Sequence, residues 1–285
     1  MTQSNGPVLL AYDGSESSAT AIAVAGRLLP GRDALVCHVR SDDLGKEERT
    51  AGAGGQLAEA AGFSAKPLAV RDERNTWRAL LQVAEHHHTS LIVAGAHGTS
   101  GVRRALLGSV STGLVHHSHV PVLVVPTEAD RDDTIGPLLL CYDGSDSAKR
   151  AIAMAGELFD PQPAIVFHFW ESWIAEAPAL ASLSRAVEGM AADLDEIGED
   201  LSSNVTGDGV ELAEQAGFDA TGLSERAVGP GWMAVRDAAN QQECAAIVIG
   251  SRGLTGVSAA LGSVSNGCVH NSRRPVLVVP TEEDE

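Results

Sequence analysis

The chain has 285 residues, 44% of them hydrophobic, and this length suggests about two domains with conventional cores. Its formal net charge of −18 at pH 7 argues against nucleic acid or an anionic membrane as a general partner, because both need a basic surface. The four cysteines form no C-x-x-C pair, which indicates reduced thiols, and no apolar stretch is long enough to span a membrane. We therefore expect a cytoplasmic protein.

Strands and helices alternate through the first half of the sequence. Residues 8–11 predict a buried strand that ends in an Asp-Gly-Ser turn, and residues 17–29 have the apolar spacing of a helix that stops at Pro-Gly. The later strands are predicted at 34–39, 65–70, 91–94 and 120–125, and the later helices at 46–61, 76–86 and 109–117. Three glycines weaken the prediction of the helix at 46–61. This alternation predicts a parallel, doubly wound α/β sheet.

The second half repeats the first. Residues 8–29 align without gaps to residues 138–159, so that Asp13 corresponds to Asp143. The offset between matching residues has grown from 130 to 155 at Gly95, so the second half carries a 25-residue insertion. A period of this size indicates a duplicated domain rather than a solenoid.

The repeat predicts two domains, at residues 1–128 and 135–285, joined by a charged linker at 129–134. The insertion, at about residues 172–209, has apolar residues near helical spacing. We expect it to form an extended helix followed by a polar loop, SSNVTGDG, at 202–209.

Each half contains a glycine-rich loop between a predicted strand and a predicted helix. The first runs over residues 95–111, GAHGTSGVRRALLGSVS, and its imperfect copy over residues 250–265. Glycines let the backbone approach a phosphate, and the free N–H groups and dipole of a helix N-terminus supply partial positive charge. Ser109 and Ser111 would add hydroxyl donors at the helix start. The sequence therefore predicts a nucleotide-phosphate cradle.

The loop is neither a Walker A loop nor the dinucleotide pattern G-x-G-x-x-G. Its glycines at 95, 98 and 108, followed by Ser109, match the pattern G-2x-G-9x-G-S/T of the ATP-binding universal stress proteins. The chain resembles that family along both halves, in the Asp-Gly-Ser turn, the glycine loop and a Pro-Val-Leu-Val-Val-Pro strand. The resemblance implies an α/β fold of two tandem doubly wound (Rossmann-like) five-stranded parallel-sheet domains, each with the strand order 3-2-1-4-5.

The resemblance also implies the ligand, which is ATP with or without Mg²⁺, and its position. Ligands of open parallel sheets bind where the strand order reverses, here between the first and fourth strands. Asp13 and the strand end near Val39 would flank the adenosine, and the glycine loop would face the phosphates. The candidate residues of the first half are Asp13, Val39, Gly95, His97, Gly98, Gly101, Gly108, Ser109, Val110 and Ser111. Those of the second half are Asp143, Gly250, Arg252, Gly253, Gly256, Gly262, Ser263, Val264 and Ser265.

Several of these residues have a simpler alternative. Asp13 can hydrogen-bond its own turn instead of a ribose. His97 can face either a phosphate or solvent. Arg103 and Arg104, within the first loop, can offset phosphate charge or lie on the surface.

The second loop departs from the family pattern. Eight residues rather than nine separate Gly253 from Gly262, and the arginine pair of the first loop is absent, although Arg252 replaces His97. These differences weaken the case for tight polyphosphate binding in the second half.

Histidines cluster at residues 86–88 and 116–119. Consecutive helical residues point about 100° apart, so three of them cannot converge on one ion. We predict no metal site. Last strands such as 120–125 pair between subunits in the resembling family, and here the duplication supplies both strands. A pseudo-dimer within one chain follows as a hypothesis, and a homodimer of two chains stays open.

The sequence thus favours a regulatory stress-response protein that binds an adenine nucleotide and acts through an unknown protein partner. A slow ATPase or phosphotransfer enzyme is the first alternative, but only Asp13 or Asp143 is an obvious carboxylate for such chemistry. A nucleotide-free interaction module is the second alternative, and the intact first glycine motif argues against it. No catalytic residue is predicted.

Overall fold

The computed structural model describes residues 6–40, 44–71, 75–98, 107–129, 135–171, 185–253 and 261–281. In these ranges strands and helices alternate as the sequence predicts. The elements of the first half are β1 (Val8–Ala11), α1 (Glu16–Leu28), β2 (Asp33–Arg40), α2 (Leu44–Ala60), β3 (Ser64–Arg71), α3 (Thr76–His86), β4 (Leu91–Gly95), α4 (Ser109–His117) and β5 (Val122–Val125). Those of the second half are β6 (Leu138–Cys141), α5 (Asp146–Leu158), β7 (Pro163–Glu171), α6 (Arg185–Gln215), β8 (Asp219–Ala227), α7 (Gly231–Gln241), β9 (Ala246–Gly250), α8 (Ser263–Asn271) and β10 (Val276–Val279).

The strands of both halves form one continuous sheet. Its order is β3-β2-β1-β4-β5-β10-β9-β6-β7-β8, so that each half has the predicted order 3-2-1-4-5 with parallel neighbours. The halves meet where β5 pairs antiparallel with β10, with Val124 opposite Val276. The chain therefore forms one ten-stranded sheet rather than two separate sheets. The pairing of the two last strands within one chain, stated above as a hypothesis, is observed.

Helices cover both faces of the sheet, which is why its central strands are apolar along their whole length. Every residue of β4 and of β9 is buried. Successive side chains of β1 join opposite cores: Val8 and Leu10 pack with α1 and α2, whereas Leu9 packs with α3 and α4. Both cores continue through the second half, so the two halves share their hydrophobic interior.

The helix after the Asp-Gly-Ser turn begins in the same way in each half. The side chain of Ser15 accepts a hydrogen bond from the backbone N–H of Ser18 at 3.2 Å, and this N-cap satisfies one donor of the first turn of α1. Ser145 caps α5 through Ala148 at the same distance. These caps fix the direction in which the chain leaves β1 and β6, at the edge of the sheet formed by the carboxyl ends of the strands.

The predicted polar loop at residues 202–209 is wrong, because these residues lie inside α6. That helix has 31 residues, against 17 in α2. Ser202 and Thr206 are buried on its inner face, where Ser202 pairs with the Ser224 hydroxyl at 2.5 Å and Thr206 donates to the Ser202 carbonyl at 2.8 Å. Internal partners satisfy these hydroxyls, so a polar composition does not break the helix here.

The predicted linker lies outside the described residues, except for Ala129, which is buried. The first part of the insertion, residues 172–184, also lies outside them. Of the helices that the structure describes, none is long and apolar enough to cross a membrane.

Candidate functional site

An open cavity lies at the carboxyl ends of β1, β2 and β4, where the strand order of the first half reverses. We call it the first crevice, and its volume is about 260 Å³. Nine of the candidates line it: Asp13, Val39, Gly95, His97, Gly98, Gly108, Ser109, Val110 and Ser111. Gly101 lies outside the described residues. The sequence missed further lining residues, namely Ala11, Tyr12, Ser18, Cys37, Thr76, Leu80 and Ala94.

A matching cavity of about 230 Å³, the second crevice, lies at the carboxyl ends of β6, β7 and β9. Eight candidates line it: Asp143, Gly250, Arg252, Gly253, Gly262, Ser263, Val264 and Ser265. Gly256 lies outside the described residues. The residues that were missed are Cys141, Tyr142, Ala148, Phe167, His168, Phe169, Val235 and Ile249. Extending the offset of 130 from Val39 would have pointed to Phe169.

The N-terminus of α4 opens onto the first crevice. Gly108 is its N-cap residue, and the first intrahelical bond runs from the N–H of Thr112 to the carbonyl of Gly108 at 2.9 Å. The N–H groups of Ser109, Val110 and Ser111 therefore have no acceptor within the helix. Three such donors at the positive end of a helix are suited to holding an anion.

The N-terminus of α8 repeats this arrangement at the second crevice. Gly262 is the N-cap residue, and its carbonyl accepts from the N–H of Asn266 at 2.8 Å. Ser263 is exposed at the crevice mouth, as Ser109 is in the first half. The hydroxyls of these two serines can therefore reach a ligand.

The hydroxyls of Ser111 and Ser265 are not available as phosphate donors, and this corrects the expectation from the sequence. Both side chains are buried, and each donates its proton to a strand carbonyl: Ser111 to Gly95 at 2.6 Å and Ser265 to Gly250 at 2.7 Å. Gly95 itself is a packing position, since a Cβ there would lie 2.5 Å from the Ser17 hydroxyl. These residues hold the helix start against the strand end.

Asp13 shapes its own turn and also faces the glycine loop. Its Oδ1 accepts from the backbone N–H of Ser15 at 3.0 Å, which is the Asx-turn alternative. Its Oδ2 lies on the side of Gly98, where a Cβ would come within 3.0 Å of it. Asp143 makes the same two approaches in the second half. One carboxylate oxygen therefore fixes the turn while the other faces the crevice.

His97 is held by hydrogen bonds to the sheet edge and to α1 rather than placed freely in solvent. Its Nδ1 lies 3.2 Å from the hydroxyl of Thr127, which follows β5 and donates to the Ser17 hydroxyl at 3.1 Å. The backbone N–H of His97 also donates to Ser17, at 3.3 Å. Its Nε2 is buried and has no hydrogen-bond partner among the described residues. The ring thus connects the loop to the sheet edge.

Arg252 takes the position of His97 in the second crevice. Its backbone N–H keeps the bond to the helix hydroxyl, here Ser147 at 3.4 Å, while its partly buried guanidinium side chain lines the crevice. Among the described residues that line either crevice, it is the only lysine or arginine. Arg103 and Arg104 lie outside the described residues.

The crevice walls carry thiols that are neutral at physiological pH. Burial raises the pKa of Cys37, in the first crevice, to about 12. Burial also raises the pKa of Cys141, in the second crevice, well above its usual range, and Cys268, Cys244 and Asp143 add to this shift. Neither wall offers a thiolate to a ligand.

The histidines at residues 86–88 lie at the C-terminal end of α3 and not within the helix as a whole. His86 is the last residue of α3, and His88 has a φ of 52°. Across the described ranges, no three His, Cys, Asp or Glu side chains are grouped closely enough to hold a metal ion.

Comparisons with known proteins match both halves. The model of the universal stress protein family matches residues 5–126 and 134–280. Universal stress protein Rv2005c of Mycobacterium tuberculosis is 28% identical over 197 residues, which are 67% of this chain and 62% of that protein. Rv2623 of the same organism is 28% identical over 200 residues, which are 66% of this chain and 60% of that protein. The chain thus spans less than two thirds of the length of the curated relatives it matches.

Among solved structures, a universal stress protein from Archaeoglobus fulgidus DSM 4304 is similar over nearly its whole length. Its TM-score is 0.66 at 25% sequence identity, and the match covers 98% of this chain and 99% of that chain.

Proposed function

The chain belongs to the universal stress protein family, and we propose that it acts in the stress response by binding ATP, or another adenine nucleotide, in its two crevices. One observation carries the proposal. In each half, a glycine-capped helix start directs three N–H groups without helical acceptors into a crevice at the strand-order switch.

The residues present fit such a ligand. In the first half, the N–H groups of residues 109–111 would hold phosphate, and the Oδ2 of Asp13 would accept from a ribose hydroxyl. The apolar wall formed by Val39 and Leu80 would contact the base. Gly98 and Gly108 leave the loop without side chains where the ligand would lie.

Local dipoles matter here because the chain as a whole repels anions. With a net charge of −18, phosphate would be held against the overall field by the two helix ends and, among the described lining residues, by Arg252 in the second half. Mg²⁺ bound with ATP would lower the charge of the ligand, and its coordination would come mostly from phosphate oxygens and water.

The small number of carboxylates in each crevice favours binding over catalysis. Among the described lining residues each crevice has one, Asp13 or Asp143, and it already fixes a turn through one oxygen. Phosphoryl transfer needs a metal-holding group together with a positioned base. We therefore propose that the nucleotide acts as a regulatory ligand, which orders the glycine loops and changes the surface they present to a protein partner.

A charge at the helix start tests the proposal. Ser109→Glu places a carboxylate in the first turn of α4, where it favours the helix but repels phosphate. We expect calorimetric titration with ATP to show about tenfold weaker binding at one site. The control Ser109→Gln, of similar size but neutral, should bind within about threefold of the wild type.

Ser263→Glu and Ser263→Gln form the same pair for the second crevice. ATP binding that is unchanged in Ser109→Glu/Ser263→Glu would contradict the placement of the phosphates. A wild-type chain that binds no adenine nucleotide would move the function to a nucleotide-free interaction module.

A further inference from the structure

The walls of the two crevices differ at a pair of positions that lie against each other. In the first crevice, Val39 at the end of β2 and Thr76 at the start of α3 both line the cavity. The matching residues of the second half are Phe169, near the end of β7, and Gly231, at the start of α7. A large side chain thus faces a glycine where the first half has two side chains of medium size.

The phenyl ring occupies the space that a side chain at position 231 would need. A Cβ on Gly231 would lie 2.6 Å from Cε2 of Phe169 and 3.1 Å from Cε1, and still closer to Cζ. The far edge of the ring therefore rests on the backbone of the first turn of α7. Because the position matching Gly231 is Thr76 in the first half, a phenylalanine at position 39 would collide there with a side chain.

Phe169 is more than core filling. Phe167 and Phe169 both line the second crevice, but Phe167 is 1% exposed and belongs to the hydrophobic core, whereas Phe169 packs against that core and stays partly exposed. The two ring centroids are 6.5 Å apart, and the His168 ring lies nearly parallel to Phe169 at the same separation. The end of β7 therefore presents an aromatic wall where β2 presents Cys37 and Val39.

We propose that Phe169 forms an aromatic base subsite in the second crevice, on which the flat heteroaromatic ring of a nucleotide stacks. This inference rests on the proposed function and adds the group that recognises the base. Stacking on an aromatic side chain strengthens base binding by about tenfold. The second crevice then draws more of its affinity from the base, and the first crevice draws more from the helix end and loop.

The test uses the full chain carrying Ser109→Glu, so that the second crevice dominates the titration. ATP and inorganic tripolyphosphate are titrated calorimetrically into this chain and into the same chain with Phe169→Val. We expect about tenfold weaker ATP binding in Phe169→Val, and tripolyphosphate binding within about twofold. A second variant, Phe169→Val/Gly231→Thr, rebuilds the Val39/Thr76 pair of the first half and fills the space that the phenyl ring leaves at α7. It should also bind ATP about tenfold more weakly and keep its affinity for tripolyphosphate.

The reciprocal exchange supplies a matched control in a chain carrying Ser263→Glu. Val39→Phe/Thr76→Gly should strengthen ATP binding several-fold in the first crevice, whereas Val39→Phe alone should not, because Thr76 occupies the space the ring needs.

Each other outcome overturns the inference. Unchanged or tighter ATP binding in Phe169→Val would mean that the ring fills the space of a base. Equal losses of ATP and tripolyphosphate would mean that Phe169 acts only through the fold. ATP binding in the first crevice alone would also overturn the inference while leaving the proposed function in the first half. No ATP binding in either crevice would overturn the proposed function itself.

Discussion

The two crevices share the backbone parts suited to an anion and differ in the side chains that would contact the rest of a ligand. Both have a glycine-capped helix, an aspartate that fixes its own turn, and a buried serine that ties helix to strand. They differ where His97 corresponds to Arg252 and where Val39 corresponds to Phe169. The shared parts are fixed by packing and by internal hydrogen bonds, whereas the divergent side chains face the cavity.

The shorter second loop does not change how its helix is anchored. The N–H of Gly108 donates to the Ala96 carbonyl at 2.7 Å, and that of Gly262 donates to the Ser251 carbonyl at 2.8 Å. The sequence argument that one missing residue weakens the second site therefore does not extend to the helix start. Among the described residues, the two crevices differ in the side chains that line them.

The largest expected effect is on stability, and it tests the packing that the two halves share at Gly95 and Gly250. A methyl group on Gly95 would meet the Ser17 hydroxyl at 2.5 Å and its carbonyl at 2.7 Å, and Gly250 is similarly crowded by Ser147. We expect Gly95→Ala and Gly250→Ala each to lower the free energy of unfolding by about 2–3 kcal/mol, measured by urea denaturation.

Gly207→Ala is the matched control for these two variants. Gly207 lies in α6 with no heavy atom within 4 Å of its missing Cβ, so alanine should raise stability by up to about 1 kcal/mol. A loss in only one of the two variants Gly95→Ala and Gly250→Ala would break the equivalence of the halves.

The next largest effect is on ATP affinity, and it tests whether Arg252 and His97 contribute differently to the two crevices. Arg252→Gln removes a cation from the second crevice, and we expect about tenfold weaker ATP binding there. His97→Gln should change ATP binding in the first crevice by less than about threefold, because Thr127 holds its Nδ1. Calorimetry in the Ser109→Glu and Ser263→Glu chains separates the two sites. A larger loss for His97→Gln than for Arg252→Gln would reverse the assignment.

The thiols should behave alike in both crevices. Because burial raises the pKa of Cys37 to about 12, and that of Cys141 well above its usual range, both are protonated near neutral pH. We expect iodoacetamide to alkylate them more than about a hundredfold more slowly in the native chain than in urea at pH 8. Mass spectrometry of the peptides gives the rates, which should rise with pH up to at least pH 10. Rapid labelling of only one of the two thiols would contradict the prediction that both are buried and protonated.

The smallest effect concerns His116, which lies near His270, the matching histidine of the second half. Burial lowers the pKa of His116, and His117 and His270 lower it further. The unfolded chain therefore binds this proton more readily, so stability falls as the pH drops through about 6.5. His116→Gln should reduce the loss between pH 7.5 and 5.5 by less than about 0.5 kcal/mol, since the side chain is partly exposed. An increased loss in thermal or urea unfolding would contradict this sign.

The periodic alternation of strands and helices predicted a parallel doubly wound sheet, whereas the strand order and the position of the crevices followed from the family resemblance. The offset of 155 between the halves assigns the first glycines of one loop to those of the other, and the one-residue deletion assigns Gly108 to Gly262. The partner of the Ser111 hydroxyl could not be predicted, since it is set by the distance between α4 and β4. The helical state of residues 202–209 depends on hydroxyl partners such as Ser224. The fit of Phe169 over Gly231 joins residues 62 positions apart and emerges only in the fold.

Counting bound nucleotide by native mass spectrometry tests the central claim most directly. The purified full chain is mixed with ATP, alongside Ser109→Glu, Ser263→Glu and the double variant. At an ATP concentration between the dissociation constants of an intact and a substituted site, the wild type should carry mostly two ATP molecules per chain if both helix starts hold phosphate. Each single variant should then carry mostly one, and the double variant mostly none. A wild type without ATP, or a double variant that still carries two, would contradict the claim that these helix starts form the nucleotide sites.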